Sequence, residues 1–139
     1  MTLHPDQLTG VLERLFDLVR RLSPDQISLT AASTLRRLDQ AGDHRLSELA
    51  AAEAVTQPAM TQLVSRLESA GLAERAGDPS DGRVVVVRVT PAGRALVRHR
   101  REVRAGRLAE LLAQLSPTER AAIAAALPSL DRLVELAAG

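Results

Sequence analysis

The chain has 139 residues, no cysteine, Phe16 as its one aromatic residue and a formal net charge of +1. Such a length favours one domain with a real core, and the absent cysteines exclude disulfides, thiolate catalysis, Cys-ligated metals and cysteine redox sensing. No apolar run approaches ~18 residues and the start carries no signal-peptide pattern, so a soluble cytoplasmic protein without membrane association is expected. The histidines, His4, His44 and His99, have no recurring spacing, so neither a metal site nor a cofactor is expected. Aliphatic residues and alanine dominate, which reads as a helix-rich fold. Every basic residue is arginine; six arginines face one glutamate between Thr90 and Leu108, whereas five meet six acids between Arg45 and Val89. Any affinity for nucleic acid therefore depends on where the arginines sit and not on overall charge.

A first helix is predicted from about Pro5 to Leu22. Leu8, Val11, Leu12, Leu15, Val19 and Leu22 form its apolar stripe, widened by Phe16 and Leu18, enough to pack on more than one partner. Ser23-Pro24-Asp25 breaks it. Ile27 to Leu29 read as an extended link, and Thr30 as the cap of a second helix that runs to about Gln40 and buries Ala31, Ala32, Leu35 and Leu38. A third, two-turn helix opens at Leu46-Ser47 with Ser47 as N-cap and buries Leu49 and Ala50.

Ala54-Val55-Thr56 then turns the chain into its central segment, Val55 to Leu72. Thr56 can accept a hydrogen bond from the first turn, and Pro58 falls where its missing N–H is harmless. Met60, Leu63, Val64 and Leu67 mark a buried stripe, and Gly71 supplies a left-handed stop. The opposite face carries Gln57, Pro58, Thr61, Gln62, Ser65 and Ser69, flanked by Arg66. Short hydrogen-bonding side chains without long charged neighbours suit a helix pressed into a groove, where Gln can read adenine edges and Thr or Ser several bases. Two short helices joined by a tight turn make a helix-turn-helix pattern. Ala54 stands where glycine is usual in that turn, and Glu53 where an apolar residue is more common; both can be partly exposed beside it.

Leu72 to Arg75 is a short strand candidate, and Val84 to Val89 a β-branched one. Between them, Ala76 to Gly82 is dense in turn formers. The hairpin carries Arg75 and Arg83 at the ends of its loop, and such a wing can place an arginine in a minor groove. Thr90 and Pro91 start a long helix to about Gln114, with Ala92, Leu96, His99, Val103, Leu108, Leu111, Leu112 and Leu115 outlining a partly apolar face. Ser116-Pro117-Thr118-Glu119 is a capping box for a last helix, in which Pro128 predicts a kink. The terminal helices carry more apolar surface than a compact winged helix can bury, which suggests pairing with a second copy about a two-fold axis.

Together these residues resemble the MarR family of winged helix-turn-helix transcriptional regulators. The resemblance spans nearly the whole chain. It is most specific in E-x-x-G-L-x-x-R (Glu68 to Arg75), the wing element Asp81-Gly82-Arg83, and T-x-x-G (Thr90 to Gly93). The fold it implies is mainly α with a small β-wing: a single domain over 1–139, with a winged helix-turn-helix DNA-binding part at 30–90 and helical dimerisation parts at 1–29 and 91–139. The function it implies is that of a homodimeric, sequence-specific DNA-binding regulator, a repressor released by a small-molecule ligand. The recognition helix, Gln57 to Ala70, enters the major groove of a pseudo-palindromic operator in double-stranded DNA, and the wing enters the minor groove. By position, Gln57, Pro58, Thr61 and Gln62 fall to base readout, and Ser65, Arg66 and Arg75 to phosphates. Arg83 is the wing arginine and Asp81 the group that orients it; Arg45 and Ser47 are weaker phosphate candidates. The ligand expected from the resemblance is a small aromatic or phenolic acid, with Phe16, Arg20 and His99 as the groups to meet it.

Two other classes compete. Asp78 and Asp81 are close in sequence, but with no histidine nearby and no nucleophile elbow, P-loop or metal-binding helix, no enzyme is expected. The nearly neutral winged segment, with Glu48, Glu53, Glu68 and Glu74, fits a winged-helix protein-interaction module without DNA binding.

Overall fold

A computed structural model describes all 139 residues. In order the elements are α1 (Pro5–Leu22), α2 (Leu29–Ala41), β1 (His44–Arg45), α3 (Leu46–Ala52), α4 (Gln57–Ser69), β2 (Ala73–Gly77), β3 (Val85–Val89), α5 (Pro91–Leu112) and α6 (Pro117–Ala138). They fall into two compact units, Met1–Arg104 and Ala105–Gly139. No helix is long and apolar enough to cross a membrane.

The core of the first unit gathers Leu35 and Leu38 of α2, Leu49 and Ala50 of α3, Met60, Val64 and Leu67 of α4, and Ala73, Val87 and Val89 of the sheet. Full burial of one such aliphatic side chain contributes about 1.5–3 kcal/mol. The sheet has the order β1-β3-β2 and is antiparallel throughout, with Ala73 opposite Val89 and Gly77 opposite Val85. β3 is covered on both faces over most of its length: Val86, Val87 and Val89 are buried and Arg88 half-buried, and only Val85 at its start is exposed.

Three local expectations are corrected. Ser28, and not Thr30, caps α2, its Oγ accepting from the Ala31 N–H at 3.1 Å. The helix begins earlier because Asp25 Oδ1 takes the Ile27 N–H at 3.1 Å and turns the link, leaving Leu29 helical. Ser47 does not cap α3. Arg45 occupies the cap position in extended conformation because it pairs with Val86 of β3, and Glu48 Oε1 accepts its N–H at 3.0 Å. That two-residue pairing, β1 with β3, is a third strand the sequence reading lacked.

The helix-turn-helix corner is a Schellman motif. The Val55 N–H donates to the Ala50 carbonyl (3.0 Å) and the Ala54 N–H to that of Ala51 (3.2 Å), with Ala54 left-handed at φ +54°. Glu53 is half-buried; its Oε1 accepts from Ser33 Oγ (2.7 Å) and Arg37 Nε (3.4 Å), tying the corner to α2. α4 ends in the same motif, with Gly71 at φ +74° donating to Glu68 and Leu72 to Leu67, both at 2.9 Å.

The T-x-x-G element has a steric cause. Thr90 Oγ1 donates to the Gly71 carbonyl at 2.6 Å and accepts from the Gly93 N–H at 3.1 Å, while the Thr90 N–H donates to the Leu72 carbonyl at 3.1 Å. This draws α5 so close that a Cβ on Gly93 would lie 2.1 Å from the Leu72 carbonyl oxygen.

In α1, Leu22 alone is buried; Val11, Leu12, Leu15, Phe16 and Val19 stay exposed. In the second unit, α6 starts with a closed capping box: Ser116 Oγ accepts from the Glu119 N–H (3.1 Å) and Glu119 Oε1 from the Ser116 N–H (2.9 Å). The Ser116 N–H first, and the Ser116 side chain second, hold the Glu119 carboxyl below its ordinary value. The helix continues through Pro128 to Ala138 and buries none of its residues.

Candidate nucleic-acid interface

The Thr56 side chain caps α4, accepting from the Ala59 N–H at 3.2 Å, with Pro58 in the first turn. Since Met60, Val64 and Leu67 are buried, the helical period turns Gln57, Pro58, Thr61, Gln62, Ser65 and Arg66 outward, and all six are exposed. Thr61 Oγ1 donates to the Gln57 carbonyl at 2.9 Å. Its proton is thereby committed to the helix, and its lone pairs face out as acceptors. Arg66 reaches back toward the Gln62 carbonyl, with Nε at 3.5 Å.

Arg75, on β2, is tied inward. Its guanidinium bonds Glu68 and donates to Ser65 Oγ at 3.2 Å, and its N–H meets Glu68 Oε2 at 3.3 Å. Glu68 and Arg75 therefore clamp the end of α4 to the wing, and Ser65 is drawn into the clamp.

The wing loop is built on two Asx turns. Asp78 Oδ1 accepts from the Ser80 N–H (2.9 Å) and Oγ (2.7 Å); Asp81 Oδ1 accepts from the Arg83 N–H (3.1 Å) and Nε (3.2 Å). The Asp78 N–H closes the loop on the Val84 carbonyl at 2.8 Å. Arg45 Nη2 lies 3.4 Å from Asp78 Oδ2, joining the start of α3 to the wing, while Ser47 is exposed in the first turn of α3. Both loop carboxyls are held below their ordinary values, Asp78 chiefly by the Ser80 bonds and Asp81 chiefly by those from Arg83. The Arg83 side chain is nonetheless 91% exposed. Its Nη2 also donates to Asp81 Oδ2 at 3.5 Å, so the guanidinium forks onto that carboxylate while its outer edge stays open to solvent.

The sequence model of the MarR family matches residues 27–85. The chain is 37% identical over 109 residues to the HTH-type transcriptional regulator Mb0904 of Mycobacterium bovis, covering 78% of this chain and 76% of that protein. It is 35% identical over 95 residues to the HTH-type transcriptional repressor Rv2887 of Mycobacterium tuberculosis, covering 68% of each. Among solved structures, a transcriptional regulator protein from Pseudomonas aeruginosa PA01 superposes with a TM-score of 0.80 at 32% identity, over 93% of this chain and 91% of that one. The chain belongs to the MarR family. It is a helix-turn-helix transcriptional regulator, and regulators of this family are DNA-binding proteins without enzymatic activity.

Within this MarR-family frame the structure brings Gln57, Pro58, Thr61, Gln62, Ser65 and Arg66 onto one face of α4 and sets Asp81 and Arg83 together at the wing tip. Phe16 and Arg20 lie exposed on α1 and His99 exposed on α5. Sequence reasoning named Asp78 and Glu68 without their roles in the wing and the clamp, and it missed Ser33. The Asp-x-Ser spacing of an Asx turn signals the first. The partnership of Ser33 with Glu53, 20 positions apart, has no local signal.

Proposed function

We propose that this protein is a cytoplasmic homodimer that binds a pseudo-palindromic operator in double-stranded DNA and represses transcription from it. The observation that carries this reading is the pairing of an exposed, charge-poor polar face on α4 with a wing arginine that is pre-oriented by Asp81 yet almost wholly exposed. Gln57, Pro58, Thr61 and Gln62 read base edges in the major groove. Arg83 enters the minor groove, where its charge meets the deepest negative potential. Ser65 and Arg66 hold phosphates, with Arg75 acting through Ser65 and Glu68 as much as by its own charge, and Arg45 and Ser47 contribute at the start of α3.

The uncovered apolar stripe of α1, and separately that of α6, support a second copy as partner. The relative named as a repressor supports the sign of regulation. Release by a small aromatic or phenolic ligand, met by Phe16, Arg20 and His99, completes the proposal.

Selection of binding sites from random duplexes tests it, with a gel shift on the promoter of the protein's own gene as the first step. An enriched two-fold motif is expected. Gln62→Ala should change the preferred base at one symmetry-related position, at about 1–3 kcal/mol if the contact is bidentate; an identical consensus would make Gln62 a spectator. A folded dimer that shifts no DNA at low salt would return the protein to the interaction-module class.

A further inference from the structure

Between α2 and the N-terminal half of α5 lies an open cavity of about 470 Å³. Its wall holds six arginines, Arg36, Arg94, Arg98, Arg100, Arg101 and Arg104, and one carboxylate, Asp39. Asp39 is turned toward Arg94, with 3.7 Å between its Oδ1 and Arg94 Nε. The floor is Arg100, 4% exposed; one of its nitrogens pairs with Asp25, but Nη2 is buried with no hydrogen-bond partner. Arg104 beside it donates to Ser23 Oγ at 3.4 Å, while its Nε is also buried without a partner.

Buried donors of charged groups left unpaired are costly, and a concentration of guanidiniums compounds the cost by mutual repulsion. Arg104 registers both effects: burial first, then the charges of Arg100 and Arg36, push its pKa below the ordinary arginine value. An oxyanion relieves all of this at once, since guanidinium forks match its oxygens in pairs. The volume suits a small metabolite.

The wall also discriminates among anions. Its apolar share is Ala32, Leu35 and Val97, with no aromatic side chain for a ring to stack on. One carboxylate neutralises one guanidinium and leaves the others repelling. We propose that this cavity is a binding site for a compact, multiply charged oxyanion, a phosphate ester or a polycarboxylate, seated on Arg100 and Arg104. The proposal goes beyond the DNA-binding reading and does not depend on it.

Isothermal titration of the full-length protein in low-chloride buffer tests it, with pyrophosphate and citrate as probes and benzoate as the monovalent control. Saturable binding of pyrophosphate or citrate at least ten-fold tighter than benzoate is expected, and the tighter of the two names the source of the oxygens. Arg104→Met keeps the aliphatic stem and should weaken that binding ten-fold or more. Arg98→Gln with Arg101→Gln, at exposed rim positions, provides a second variant with the same direction of effect should Arg104→Met fail to fold. Benzoate binding as tightly as the multivalent probes would overturn the proposal. So would absence of binding heat with both probes, as when a carboxylate of a second copy fills the cavity, or equal affinity in wild type and both variants.

Discussion

Leu35, Leu38, Leu49, Met60, Val64 and Val87 sit at 0–1% exposure in the winged segment, whereas Leu12, Leu15 and Phe16 of α1 sit at 45–57%. In the second unit Leu127, Val134 and Leu136 of α6 stand at 53–68%. All of these belong to helices or strands with clear apolar periodicity. The difference is that α2, α3, α4 and the sheet bury their stripes against one another within one chain, while those of α1 and α6 face outward. A pattern of apolar residues thus states that a face must be covered, and only tertiary structure tells whether the same chain covers it. Uncovered stripes of this kind mark association surfaces.

Charge on the outward face of α1 gives the sharpest test of that contrast. Leu12→Asp with Leu15→Asp should yield a monomer by light scattering while the helical circular dichroism persists. Losing the linked second half-site should lower operator affinity about 10²–10⁴-fold. A dimer of unchanged affinity would mean that these stripes are not the association surface.

The self-contained region should break instead from within. Gly93→Ala places a Cβ against the Leu72 carbonyl oxygen and the Val89 side chain, and backbone cannot yield as a flexible side chain does. Destabilisation of about 1–3 kcal/mol is expected from such overpacking, read as a lower urea midpoint at unchanged slope. An unaltered midpoint would show that the start of α5 can shift away from β2 freely.

Much of this was legible in the sequence, and most of the exceptions share a cause. The bounds of α1, the start of α6, the Thr56 and Ser116 caps, the Gly71 stop and the hairpin all follow from short-range rules. The α2 cap was missed through local bonds of Asp25 and Ser28, whereas the other misses depend on long-range partners. Arg45 takes the cap position because β3 pairs with β1, and Glu53 is tolerated in the turn because Ser33 and Arg37 come to it from α2. At the interface, spacing located Arg75 and Arg83 equally well. Only the fold separates an arginine paired against the body of the protein from one paired at the wing tip and almost wholly exposed.

That separation is itself measurable. Arg83→Ala should weaken operator binding about ten-fold and lower the slope of log affinity against log salt by roughly one per wing. Arg75→Ala should act more on stability, because it unlocks Glu68 and Ser65. Equal salt slopes for wild type and Arg83→Ala would remove the wing from the electrostatic account. Titration does not blur the comparison in ordinary buffers. The Asp81 carboxyl is depressed from 3.8 by its bonds to Arg83, so their mutual stabilisation is complete above that value. It is lost only as pH falls through the still lower folded pKa. From about pH 5 to 8 the clamp at the base of Arg83 stays closed.

The smallest expected effect comes from the two Schellman corners that bracket α4's approach and exit. Both close with the same pair of backbone hydrogen bonds and both need a left-handed residue, at φ +54° for Ala54 and +74° for Gly71. For an L-residue with a Cβ that conformation costs about 1–2 kcal/mol, which Gly71 avoids and Ala54 does not. Glycine in turn adds entropy to the unfolded chain, worth about 0.4–1 kcal/mol against it. Ala54→Gly should therefore raise stability modestly, by up to about 1 kcal/mol, and Gly71→Ala should lower it by a similar amount. Chemical denaturation of the two variants side by side decides the matter. If Ala54→Gly is neutral or destabilising, the helix-turn-helix corner is not strained, and the hold of Ser33 and Arg37 on Glu53 has shaped it to suit alanine.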